Sequence, residues 1–267
     1  MDAFLIAFLS IIFLSIGSLT SVLIHRLILM EFQKTDINLF FPPSHCINCG
    51  AKISLINLIP ILGYVLQRGR CIKCNASISI TYLMHEIIHL AVGLSIYLFE
   101  GLSYQALITY LLFTILYILL ICDLKKFYLP LYLNLSITLI AIISGFFGIT
   151  LIESYGFLNI SNISLPLIGF IFGYFFLWSI NLIYKLLKKE DGIGGGDFIL
   201  LGGIGSIVGP LSIASIVLLG SLSTLIIMIF NHKKYAKELP LGAGLIFGLF
   251  IYIIFEYFEL FTFIYVV

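Results

Sequence analysis

Two aspartates, four cysteines and a His-Glu-x-x-His run are the residues of this chain whose types and spacing could do chemistry. Asp123 closes an apolar stretch, in YILLICDLKKFYLP, and Asp197 follows a glycine cluster, in KKEDGIGGGDFILLGG. An aspartic endopeptidase needs such a pair: one carboxylate takes a proton from water while the other, still protonated, polarises the scissile carbonyl. Gly192, Gly194, Gly195 and Gly196 remove side chains just before Asp197, so an extended substrate backbone can come close to it. Gly-Gly-Gly-Asp also has the look of a phosphate loop, but no strand precedes it and no Lys-Ser/Thr follows. Taken alone, Asp123 reads as an interfacial cap or as a partner of Lys125 and Lys126. Its expected depth, equal to that of Asp197, favours the pair.

Cys46, Cys49, Cys71 and Cys74 form two Cys-x-x-Cys pairs with 21 residues between them. Each pair predicts a tight turn presenting two thiolates, and two such turns supply the tetrahedral sulfur shell that zinc prefers. Two disulfides are the alternative, which a reducing cytoplasm disfavours. The region is too small for a large core of its own, so a metal would supply much of its folding free energy. Cys122 has no partner in this pattern and is expected to be inert packing.

His85, Glu86 and His89 lie in MHEIIHL, the pattern with which zinc proteases hold their metal. On a helix they share one face. An intramembrane zinc metalloprotease using His85-Glu86-x-x-His89, with a distant carboxylate such as Asp123 as a further ligand, is therefore an alternative reading. It leaves the glycines around Asp197 and the cysteine array without a purpose. The plainer account puts both histidines at an interfacial helix start, where Glu86 favours the positive end of the dipole.

These residues must be positioned by membrane helices. The chain has 267 residues, of which 61% are hydrophobic and 10% charged. A mean hydropathy of +1.17 excludes an ordinary soluble domain, in which about a quarter of residues are charged. Apolar runs of spanning length occupy 3–24, 82–99, 104–122, 129–150, 163–187, 211–230 and 241–265, and a shorter Gly-rich run covers 197–209. The fold class expected is all-α and polytopic, with about eight transmembrane segments and a cytoplasmic four-cysteine insert between the first and second. The corresponding division is 1–24, first helix; 25–81, zinc-binding insert; and 82–267, a seven-segment catalytic domain. The first run has an acidic second residue and no basic leader, so it is expected to be retained and not cleaved as a signal.

All 14 Lys and Arg residues fall in 25–81, 123–128, 185–190 and 231–238. With eight crossings those regions share one side, which basic loops mark as cytoplasmic; both termini then face outward. Asp123 and Asp197 would both sit at the cytoplasmic boundary. A transporter using the aspartates for ion passage is a third possibility, suited to an interrupted helix, but no inverted repeat is visible.

With these residues in place, the chain resembles the type IV prepilin peptidase family, the prepilin leader peptidase/N-methyltransferases, which are GxGD-type aspartic proteases of the bacterial inner membrane. The resemblance runs through IGSLTSVLIHRL, SHCINCGAKIS, NLIPILGYVLQRGRCIKCNASISITYLMHE, ICDLKKFYLPLYL, GIGGGDFILLGGIG and ELPLGAGLIFG. It implies that Asp123 and Asp197 are the catalytic pair and that the substrates are type IV prepilins or pseudopilins, cut after a short basic leader. It also implies methylation of the new N-terminus by S-adenosylmethionine, and structural zinc in the cysteine insert. The partners implied are those substrates and the lipid bilayer, with no nucleic acid. Three positions depart from the family pattern: Leu131 directly after Pro130, Ile199 two residues after Asp197, and the run Pro240-Leu241-Gly242-Ala243.

Overall fold

The computed structural model describes residues 3–33, 38–149, 164–230, 235 and 238–257. Among these the chain is helical, with two isolated β-bridges and no strand. Its helices are α1 (Ala3–Phe32), α2 (Leu62–Leu66), α3 (Thr81–Glu100), α4 (Tyr104–Lys126), α5 (Leu131–Phe146), α6 (Ser164–Lys188), α7 (Gly195–Val208), α8 (Ile213–Phe230) and α9 (Leu241–Tyr257). Five of them, α1, α3, α4, α6 and α8, are long and apolar enough to cross a membrane. Three shorter apolar helices, α5, α7 and α9, bring the apolar set to the eight read from the sequence. The polytopic helical class therefore holds. Parts of the runs at 129–150, 163–187 and 241–265 lie outside the described residues, as do all three lysines of 231–238.

One helix boundary differs instructively from the hydropathy pattern, and one short helix agrees with it. Helix α1 continues to Phe32, beyond the apolar run ending at 24, because HRLILMEF contains no Gly or Pro to stop it. Helix α7 has only 14 residues, about 21 Å at the helical rise, and is shorter than the hydrocarbon core. It can be short because it is shielded: nine of its residues, from Phe198 to Val208, are buried by protein.

The chain forms two compact units, Met1–Tyr110 and Leu111–Val267. In the first, α1 packs on α3. Gly17 permits this contact, since a Cβ there would meet Glu86 Cα at 2.7 Å and the His85 carbonyl at 2.8 Å. Between the two helices lies the insert, with a short 3-10 turn at Leu55–Leu58 and the single-turn α2. In the second unit α7 is the hub, packed against α5, α6, α8 and α9. Small residues let backbones meet there, as is usual between membrane helices. Gly169 of α6 and Gly205 of α7 face each other's carbonyls, and a Cβ at Gly248 of α9 would meet Gly220 N on α8 at 2.5 Å.

Candidate active site and metal centre

Asp123 lies in the last turn of α4 and Asp197 in the first turn of α7. Although 74 positions separate them in the chain, both reach one point at the start of α9. A Cβ added to Gly242 would lie 3.1 Å from Asp123 Oδ2 and 3.1 Å from Asp197 Oδ1. The two carboxylate oxygens are therefore no further apart than the sum of those distances. Asp123 is buried, and its Oδ2 accepts the Ala243 N–H at 2.7 Å, which ties α4 to the first turn of α9.

The loop before Asp197 is held by two asparagines that sequence reasoning passed over. Buried Asn181, on α6, accepts the N–H groups of Gly192 and Ile193 at 2.9 and 3.0 Å through Oδ1. Its Nδ2 donates to Asp191 at 3.1 Å, and Lys185 pairs with the same carboxylate at 2.9 Å. That ion pair, with the Asn181 amide, keeps Asp191 below the usual carboxylate range. Fully buried Asn134, on α5, donates from Nδ2 to the Gly196 carbonyl at 2.8 Å. Gly194 precedes α7 in extended conformation, and Gly195 and Gly196 open the helix. Open space surrounds Gly195, whereas a Cβ at Gly196 would meet Leu129 Cβ at 3.2 Å. On the other flank, buried Tyr235 donates its hydroxyl to the Leu124 carbonyl at 2.9 Å, next to Asp123. No local signal marks Asn134, Asn181 or Gly242, whose roles come from partners far away in sequence.

The four cysteines converge within the first unit. Their Sγ atoms all lie within 4.8 Å of one another, and Cys46 Sγ is 3.8 Å from Cys74 Sγ. A zinc tetrahedron with Zn–S bonds of about 2.3 Å requires S–S edges of about 3.8 Å, so the donor set fits that ion. The two knuckles are built alike. Cys46 N donates to the Ala51 carbonyl and Cys71 N to the Ala76 carbonyl, both at 2.9 Å. Each turn is completed by a residue in the left-handed region, Gly50 at φ 68° and Asn75 at φ 56°, types that accept that conformation. Bridges His45–Lys52 and Arg70–Ser77 close the two turns. The Ala76 N–H, followed by the Asn48 amide, pulls the Cys74 thiol down to about 6. Cys49 is pushed up to about 11, because desolvation and the three neighbouring sulfurs outweigh the Ala51 N–H. A dication would remove this conflict among crowded thiolates.

The His-Glu-x-x-His residues are occupied differently. His89 is fully buried, its Nδ1 lies 2.9 Å from the His85 carbonyl and its Nε2 is 3.3 Å from Thr20 Oγ1. Glu86 Oε2 accepts the Ile61 N–H at 2.7 Å. Among the described residues, the one group of three or more His, Cys, Asp or Glu ligands is the cysteine set. The spacing that suggests a zinc protease serves here to join α3 to α1 and to the insert. Cys122 is fully buried.

Fold and site together define a polytopic helical membrane protein with two carboxylates brought to one glycine and a separate four-thiol centre. Its sequence matches the Bacterial Peptidase A24 N-terminal domain over residues 11–99 and the Type IV leader peptidase family over residues 110–229. Similar proteins include the prepilin leader peptidase/N-methyltransferases of Aeromonas hydrophila, 30% identical over 86% of this chain and 83% of that one, and of Vibrio cholerae, 30% identical over 89% and 91%. That of Pectobacterium carotovorum is 28% identical over 90% and 89%. No solved structure gives a significant match. The chain belongs to the type IV leader peptidase family.

Proposed function

We propose that the protein is an aspartic endopeptidase of the bacterial inner membrane that removes the short basic leader of type IV prepilin-like proteins, including pseudopilins. The observation that carries this reading is the convergence of Asp123 and Asp197 on Gly242. In the reaction, one of the two carboxylates accepts a proton from water, and the resulting nucleophile adds to the scissile carbonyl. The other carboxyl donates a hydrogen bond to that oxygen as charge develops on it. Collapse breaks the C–N bond, and the departing amine takes up a proton from the pair. The open space at Gly195 admits an extended substrate backbone beside Asp197.

Orientation follows from charge. Lys125 and Lys126 end α4, Lys185 and Lys188 end α6, and both sets flank the aspartates. Basic flanks belong in the cytoplasm, so the active site faces inward and both termini outward. The division of labour is then α1, which runs on to Phe32, as the first helix, the segment between it and residue 82 as the insert, and 82–267 as the catalytic helices. In the insert Cys46, Cys49, Cys71 and Cys74 hold structural zinc, which supplies cross-linking and no reaction step. Methylation of the new amino terminus by S-adenosylmethionine is part of the proposal, supported by the names of the relatives.

The decisive experiment incubates the purified protein with a prepilin peptide and S-adenosylmethionine and determines the mass of the new N-terminus. A product lacking the leader and heavier by one methyl group is expected. An uncut peptide would overturn the proteolytic reading, and a cut but unmethylated product would remove methyl transfer.

A further inference from the structure

The insert carries an apolar surface that neither the aspartates nor the thiols use. Leu55 and Ile56 on the 3-10 turn, and Leu62, Val65 and Leu66 on α2, are all exposed, Leu55 to 83%. On α2 the three lie at i, i+3 and i+4, on one side of a single turn. Monomeric domains rarely leave so much contiguous aliphatic surface in water. The charge along this stretch of the chain has one sign. Residues 38–80 contain Lys52, Arg68, Arg70 and Lys73 and no Asp or Glu, and all four cations are exposed. Lys52 shares a shallow depression with Leu55 and Leu58.

Two buried charged side chains fix the level of this surface. Arg26 of α1 donates to the carbonyls of Asn38 and Pro42, and Glu86 of α3 accepts the Ile61 N–H. Ile61 has φ 61°, a costly conformation for a β-branched residue that persists only where its surroundings impose it. Glu86 is the sixth residue of α3, which puts it about 7.5 Å along the axis from Thr81. Helix α3 has 20 residues, about the thickness of the hydrocarbon core, so its first turn and a half sits at one edge of that core. Ile61, bonded at Glu86, is drawn to the same level. Amphipathic segments rest about 5–10 Å into the boundary between headgroups and acyl chains.

We infer that the aliphatic ridge formed by Leu55, Ile56, Leu62, Val65 and Leu66 lies in the headgroup–acyl boundary of the bilayer, with Lys52, Arg68, Arg70 and Lys73 engaging anionic phospholipid headgroups. Basic side chains near such a surface are attracted to it electrostatically. A cationic peptide is a poor alternative occupant because these four residues would repel it. The inference rests on α1 and α3 being spans and is independent of the proteolytic reading.

The test uses the full-length protein with Trp178→Phe and a single new reporter, Leu55→Trp or Leu66→Trp. Each is placed in nanodiscs of phosphatidylcholine alone or mixed with phosphatidylglycerol, and its zinc content is measured. Quenching by shallow spin-labelled lipid and protection from aqueous acrylamide are expected. Phosphatidylglycerol should strengthen the lipid quenching, and glutamine at all four cationic positions should weaken it several-fold. Quenching by acrylamide and not by lipid would overturn the inference, as would a reporter reached by neither, which indicates a protein cover. Lipid quenching indifferent to phosphatidylglycerol would overturn the anionic assignment. Should a reporter variant lose its zinc, a photoactivatable phospholipid added to the unaltered chain replaces it. Cross-links mapping to residues 53–67 support the inference, and their absence overturns it.

Discussion

At Gly242 the volume of one missing methyl group is the volume between two carboxylates. Gly242→Ala would place a carbon 3.1 Å from Asp123 Oδ2, 3.1 Å from Asp197 Oδ1 and 2.9 Å from Leu129 Cδ1, closing the space a water must occupy. A misplacement of about 1 Å at reacting atoms costs up to about 100-fold in rate, and a loss of that order in kcat is expected with normal membrane accumulation. Asp123→Asn and Asp197→Asn act more directly. Each leaves an amide of the same size that can neither take the proton from water nor pass one on. Cleavage of a prepilin peptide should fall by roughly 10³-fold or more in each, with insertion unchanged, since a general acid or base contributes on that scale. Full activity in either variant would exclude the carboxylate pair as the catalytic machinery.

The helices determine whether those residues meet, and here some features were legible in the sequence and others were not. The cysteine knuckles follow from local spacing: Cys46 and Cys49, or Cys71 and Cys74, need only a turn to present both sulfurs. Asp123 and Asp197 could be matched because hydropathy and the positions of lysines order residues by depth. Depth says nothing of azimuth, so the meeting at Gly242 depends on α6–α7 and α8–α9 contacts made by scattered glycines such as Gly169, Gly205 and Gly248. His85-Glu86-x-x-His89 misleads for a related reason: helical spacing gives a shared face but does not say what lies opposite, which is Gly17 and Thr20 on α1. Asn134 belongs to this scale, since it ties α5 to the mouth of α7. Its Oδ1 has no partner among the described residues, so Asn134→Leu removes the bond to the Gly196 carbonyl and little else. Leaving that carbonyl unpaired should cost about 1–3 kcal/mol. The expected result is a lower melting temperature in detergent and reduced kcat. Unchanged values of both would show that Gly196 is held by other means.

At the scale of the whole molecule, the division into Met1–Tyr110 and Leu111–Val267 separates the thiol centre from the carboxylates. The insert has little core of its own: its 3-10 turn has no buried residue and α2 buries only Gly63. Its order would come from the proposed zinc cross-link between the knuckles and from Arg26 and Glu86 at its base. The second unit instead is organised around buried α7 and has no need of a metal for its packing. Zinc removal should therefore act on one unit alone. The protein should bind about one zinc per chain, lost in Cys46→Ser with Cys71→Ser. Hydrogen exchange on that double variant should show amides of residues 44–78 losing protection, while those of α6 and α7 exchange as in the unaltered protein. Zinc retained by the variant would move the metal to other ligands. Protection lost equally in α7 would mean that the thiol centre stabilises the catalytic helices as well, and chelation could then not separate the metal from the aspartates.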